Sequence, residues 1–225
     1  MSRIHFVWLA LTGALVTLPA AAQPLTFTNV GAPAINCVFS QPVNGHCSVT
    51  VTDSVGTIAM PPGVSGVGRL QSRTFKGAAG TPGAGLTAYE YRVDLTGAVS
   101  DGESPCVTDL AIDFGTVSKL PYQGNATKYD VYVITSGGIG TVGLYDVEET
   151  GNSIDFIFNQ PVCAGPSPGS GKSSYFIGLA APNPPNAVTA HVGWPGLLPI
   201  AVQARSPLGS ISHVVPLKPL KIKPH

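Results

Sequence analysis

The sequence is poor in charge: Asp, Glu, Lys and Arg make up 11% of 225 residues, and Lys plus Arg (12) equals Asp plus Glu (12). With 44% hydrophobic residues, it lacks the polar, highly charged composition of a disordered chain. It also lacks the basic excess of a nucleic-acid-binding surface. Helical periodicity is missing too, since beyond residue 22 no ten-residue stretch repeats apolar side chains every 3.6 residues. Glycine and proline number 27 and 21, about a fifth of the chain against a usual share of roughly 12%. Both destabilise helix interiors, so a helix-rich fold is excluded.

One long apolar run is present, over residues 4–18. Arg3 precedes it, and the small residues Ala20, Ala21 and Ala22 follow Pro19. This is the layout of a secretory signal, with Gln23 as the expected first mature residue. The run is shorter than the ~20 residues of a membrane-spanning helix. No cysteine follows at the cleavage point, which argues against a lipid anchor. The expected location is secreted or periplasmic.

Four cysteines remain: Cys37, Cys47, Cys106 and Cys163. An even number in an exported chain predicts two disulfides, with three possible connectivities. The turn-rich segment Gln41-Pro42-Val43-Asn44-Gly45 favours Cys37–Cys47. Cys106 and Cys163 each border a strand-like run and form the second expected pair. Zinc spacing is absent, as no Cys-x-x-Cys occurs.

Charge is unevenly placed. Residues 77–171 hold eleven of the twelve acids against Arg92, Lys119 and Lys128, a net of −8. Residues 172–225 hold Lys172, Arg205, Lys218, Lys221 and Lys223 and no acid, a net of +5. From Pro207 the chain turns Pro- and Lys-rich, and proline bars it from a central strand. Residues 207–225 are therefore expected to form an extended tail, with Lys218, Lys221 and Lys223 binding an acidic surface. That surface is either residues 77–171 or an anionic polysaccharide or other cell-surface polymer.

Period-two alternation predicts strands over residues 86–95, 107–114, 129–135, 153–160 and 188–194. In the first, Tyr89, Tyr91, Val93 and Leu95 oppose Glu90, Arg92 and Asp94. In the second, Leu110, Ile112 and Phe114 oppose Asp109, Ala111 and Asp113. Residues 129–135 are apolar on both faces, as for a central strand. Further strands are expected over 25–30, 35–39, 47–52, 68–75, 142–147, 175–180, 200–205 and 211–215. Such short strands between Gly/Pro turns predict an all-β fold. The expected form is a two-sheet antiparallel β-sandwich, jelly-roll or immunoglobulin-like, over residues 23–206, with a β-barrel as the alternative.

Two nucleotide- and hydrolase-type motifs occur in the wrong setting. The dinucleotide pattern at Gly138, Gly140 and Gly143 runs into strand-like residues, where pyrophosphate binding needs a helix N-terminus. The G-x-S-x-G pattern at Gly165, Ser167 and Gly169 contains two prolines, where a nucleophile elbow needs a strand and a helix. Carboxylates offer two chemistries: oxygen ligation of a hard cation, or paired acid–base hydrolysis. Asp101, Glu103 and Asp109 near Cys106 are the expected calcium ligands, of the ~10⁻⁴–10⁻³ M class found in extracellular modules. No other cofactor is expected, and no triad is nominated by the histidines.

Residues 171–180, Gly-Lys-Ser-Ser-Tyr-Phe-Ile-Gly-Leu-Ala, continue to Ala187-Val188-Thr189-Ala190-His191-Val192. This segment resembles one in exported bacterial proteins of the PEP-CTERM type, in which a similar strand, a proline loop and a Val-Thr-Ala strand follow one another. The Pro-Glu-Pro motif, membrane helix and basic cluster of that class are not found here. The resemblance implies an extracellular β-rich protein and no catalytic residues. The sequence thus points to an exported, disulfide-stabilised protein with a binding or structural role at the cell surface or in the extracellular matrix. The alternative is a secreted hydrolase of polysaccharide or ester bonds.

Overall fold

A computed structural model describes residues 21–100 and 105–208. The chain runs β1 (Gln23–Pro24), β2 (Phe27–Gly31), α1 (Ala32–Phe39), β3 (Thr52–Ile58), β4 (Val64–Gly66), β5 (Gly68–Lys76), β6 (Thr87–Asp94) and β7 (Ala98–Ser100). It continues β8 (Cys106–Asp113), β9 (Val131–Ser136), β10 (Leu144–Thr150), β11 (Ser153–Cys163), β12 (Ile177–Ala181), β13 (Asn186–Gly193) and β14 (Ile200–Ser206). The architecture is all-β, as expected. One sheet has the order β1-β10-β11-β8-β13-β14, the other β2-β9-β12-β6-β5-β3, and β4 and β7 form a small ribbon. Both six-stranded sheets are open, giving a sandwich and not a closed barrel. The expectation of purely antiparallel sheets needs one correction: β2 runs parallel to β9.

Alternation places the core between the sheets. Tyr89, Tyr91, Val93 and Leu95 face Leu110, Ile112, Phe114, Ile154 and Phe156, and all are buried. The Tyr89 ring meets Phe114 edge-on at 5.2 Å. Buried tyrosines need acceptors: the Tyr89 hydroxyl donates to the Asn183 carbonyl at 2.7 Å and Tyr91 to that of Arg205 at 2.5 Å. Along one side the two edge strands β3 and β14 touch. A Cβ on Gly56 would lie 2.3 Å from the Gln203 carbonyl oxygen, so the close approach requires glycine there.

Residues 35–39, expected as a strand, form the end of α1. Pro33 sits in the first turn, where its missing N–H costs nothing, and Ile35, Val38 and Phe39 fall on one buried face. This helix covers the outer face of the second sheet. Together with Leu120, Tyr122 and Phe75 it builds a second apolar cluster over Val30, Ala88, Tyr132, Ile134, Phe176 and Ala180. The expected strand over 47–52 is also displaced, to Thr52–Ile58. The sandwich is therefore three layers deep on one side.

Candidate functional site

The register of the second sheet lines up one polar row across its outer face. Asp53 on β3 pairs with Arg73 on β5, which pairs with Glu90 on β6. Glu90 pairs with Gly178 on β12, Gly178 with Tyr132 on β9, and Tyr132 with Thr28 on β2. The row passes from exposed at Asp53 (41% of its side chain) to buried at Glu90 (2%).

Each member is held by the next. Arg73 Nε donates to Asp53 Oδ1 at 3.1 Å, and Arg73 Nη1 lies 3.9 Å from Glu90 Oε2. The guanidinium stacks over the Phe176 ring, 4.5 Å from its centroid, a favourable cation–π geometry. Tyr132 donates its hydroxyl to Glu90 Oε1 at 2.9 Å. Gly178 lets that ring cross the sheet, since a Cβ there would fall 2.1 Å from it. Tyr122 packs on Tyr132 at 4.7 Å.

Burial dominates the electrostatics. Desolvation disfavours the charged carboxylate and pushes Glu90 up to about 7, against the lowering pull of the Tyr132 hydrogen bond and the Arg73 charge. Burial likewise raises the Tyr132 phenol, helped by the neighbouring Glu90. A carboxyl with a raised pKa beside a phenol has acid–base chemistry, but Glu90 is 2% exposed, with Tyr132 and Arg73 against it.

A second feature lies at the end of this sheet. An open groove of about 460 Å³ runs between the C-terminal end of α1, residues 48–50 and the ends of β3, β5 and β6. Phe39, Phe75 and Val49 give it an apolar lining; Ser48, Thr50, Thr52, Thr74 and Thr87 bring hydroxyls and Lys76 an ammonium.

The residues expected from sequence fall as follows. Cys37 is joined to Cys47 and Cys106 to Cys163, with Cα separations of 5.0 and 4.0 Å. The first bond ties α1 to the following loop; the second joins register partners on β8 and β11. Asp109 sits on the outer face of β8 and accepts from the Thr108 hydroxyl at 2.8 Å. Asp101 and Glu103, its expected partners in calcium binding, lie outside the described residues, as do Lys218, Lys221, Lys223 and residues 1–20. Among the described residues no group of three His, Cys, Asp or Glu side chains is placed to hold a metal ion.

Gly138, Gly140 and Gly143 form a loop between β9 and β10 with no helix after it, and Ser167 sits in a turn closed by Ser170. Neither has the setting its motif requires. The Glu90 row was missed by sequence reasoning. Its signal was there in β9, whose outward Tyr132 and Ile134 are apolar and so require a cover.

Two disulfides point to an oxidising, extracytoplasmic compartment. Among the described residues no helix is long and apolar enough to cross a membrane. No family model, no curated protein and no solved structure matches this chain.

Proposed function

We propose that this chain is a secreted or periplasmic module with a binding or structural role at the cell surface or in the extracellular matrix. Its proposed partner is an anionic polysaccharide or similar cell-surface polymer. The observation that carries the non-catalytic part is the burial of Glu90. Among the described residues it is the carboxyl best tuned for acid–base work, yet it is 2% exposed and occupied by Tyr132. The disulfides fit an extracytoplasmic site of action. The PEP-CTERM-like segment falls largely on β12 and β13, both internal strands of their sheets. A polyanionic partner is supported by residues 172–225, which carry five basic residues and no acid.

Retention on an immobilised polyuronate tests this. The full chain is expected to bind and to elute with salt, because exposed charges act over about 8 Å at physiological ionic strength. A chain ending at Val215 should bind less and keep its melting temperature. Failure of the full chain to bind any polyanion would remove the reading. Release of reducing ends or ester acids by the purified protein would replace it with the hydrolase.

A further inference from the structure

Of the eleven acids in residues 77–171, the strand register gathers five on one surface. Asp146, Ile157 and Asp109 form one row across the outer face of the first sheet, and Glu148, Asp155, Ala111 and His191 belong to the next. Asp113 follows Ala111 on the same side of β8, opposite Ser153 of β11. Asp109, Asp113, Asp146, Glu148 and Asp155 therefore share one face, and all are partly exposed. The basic residues that the register places on this face are His191 on β13 and Arg205 on the edge strand β14. Asp94 and Asp130, by contrast, lie with the second sheet and are matched there by Arg92 and Lys119, each at 3.1 Å.

The described chain leads to the acidic face and ends beside it. From β14, the edge strand of that sheet, the chain turns so that the Leu208 side chain lies against Gly115, where a Cβ would fall 3.2 Å from it. Gly115 is two residues beyond Asp113. Residues 209–225, outside the described residues, carry Lys218, Lys221 and Lys223 and no acid. From β14 to β10 the face is four strand spacings wide, about 19 Å. The ten residue steps from Leu208 to Lys218 reach about 31 Å when extended, as prolines favour. All three lysines can therefore lie over the carboxylates. Covalent attachment keeps their effective concentration on the order of millimolar.

We infer that the basic tail, through Lys218, Lys221 and Lys223, docks on the outer face of the first sheet over these five carboxylates. The contact joins exposed charges of opposite sign, so salt dislodges it and the fold does not depend on it. It also regulates binding, in a step that rests on the polyanion reading above: a polyanion must displace the carboxylates before it takes the lysines. The sheet face is thus a competitor carried by the protein itself.

Amide chemical shifts of the full chain and of a chain ending at Val215, compared at low salt, test the docking. Differences are expected at residues 109–113, 146–148 and 155. They should vanish at about 1 M salt, where exposed charges act over only about 3 Å. Replacing Lys218, Lys221 and Lys223 by Gln in the full chain should give the shifts of the shortened chain, and this variant leaves every described residue in place. With Asp109→Asn, Asp113→Asn and Asp146→Asn combined, shortening the chain should no longer move the face, at an unchanged thermal melt. Differences confined to residues near Leu208, or centred on the second sheet, would overturn the inference. Differences that grow with protein concentration would overturn it too, by placing the tail on a second copy. Tetragalacturonate added to the full chain separates the two readings. A return of the face residues to their shifts in the shortened chain supports both. Docking that the polyuronate leaves intact stands while the polyanion reading fails. Absence of docking in a chain still retained on polyuronate resin sinks the docking alone.

Discussion

The outer faces of the two sheets carry the same kind of sequence and meet different fates. On β8, Asp109, Ala111 and Asp113 alternate with Leu110 and Ile112 and stay partly exposed. On β6, Glu90, Arg92 and Asp94 alternate with Tyr91 and Val93, yet Glu90 is buried. The difference lies elsewhere in the chain. A cover of α1, Tyr122 and Leu120 lies over the second sheet, whereas the facing row of the first sheet is Glu148, Asp155, Ala111, His191 and Ala201. Alternation decides which residues face the sandwich core. Whether the opposite face meets water depends on a third layer, which the alternation of β6 does not encode and only the apolar outward residues of β9, Tyr132 and Ile134, signal.

The largest expected effect breaks the tie within the first sheet. Replacing Cys106 and Cys163 by Ser opens a bond with a sequence separation of 57, worth about 4 kcal/mol in the chain-entropy model. The Cys37–Cys47 bond, with a separation of 10, is worth about 3 kcal/mol on the same basis. Urea denaturation of the two double variants should rank them in that order.

A comparable loss is expected under the cover. Gly178→Ala forces a methyl into the Tyr132 ring, which Glu90 and Tyr122 hold in place. Overpacking of this kind costs about 3 kcal/mol. The denaturation midpoint reports it.

Glu90→Gln acts in the opposite direction and depends on pH. The folded protein holds the Glu90 proton more tightly than the unfolded chain, with a value of about 7 against 4.5. The stability linked to that proton is complete below about pH 4.5 and is lost as pH rises through 7. Ionised Glu90 therefore destabilises the fold at pH 8 by about 3 kcal/mol. Glutamine keeps an acceptor for the Tyr132 hydroxyl without the charge. The variant should melt above wild type at pH 8 and beside it at pH 4.

On the uncovered face the effect should nearly vanish. Asp113→Asn on β8 is expected to shift stability by less than about 0.5 kcal/mol, as for most surface substitutions. A loss of several kcal/mol would mean that the first sheet is covered as well.

Much of this architecture is legible in the sequence because its causes are local. Strands β6, β8, β11 and β13 follow from alternation, and the Cys37–Cys47 pair from the turn between its members. The helix was obscured by brevity. Ile35, Val38 and Phe39 do stand at helical spacing, but eight residues are too few for a periodic signal, and β-branched Ile and Val suit a strand equally. The shift of β3 has a similar origin: inward Gly56 gains its place by touching Val202 and Gln203 on β14, a long-range contact. The Glu90 row depends on the register of six strands at once, and no single segment carries that information.

The most direct test of the covered face is the ionisation of Glu90 itself, followed by the ¹³C signal of its side-chain carboxyl across pH 3–9. The cover predicts a midpoint of about 7, and Tyr132→Phe should move it higher by removing the hydrogen bond that favours the charged form. A midpoint in the ordinary carboxylate range near 4–5, unchanged by Tyr132→Phe, would place Glu90 in water and contradict the third layer.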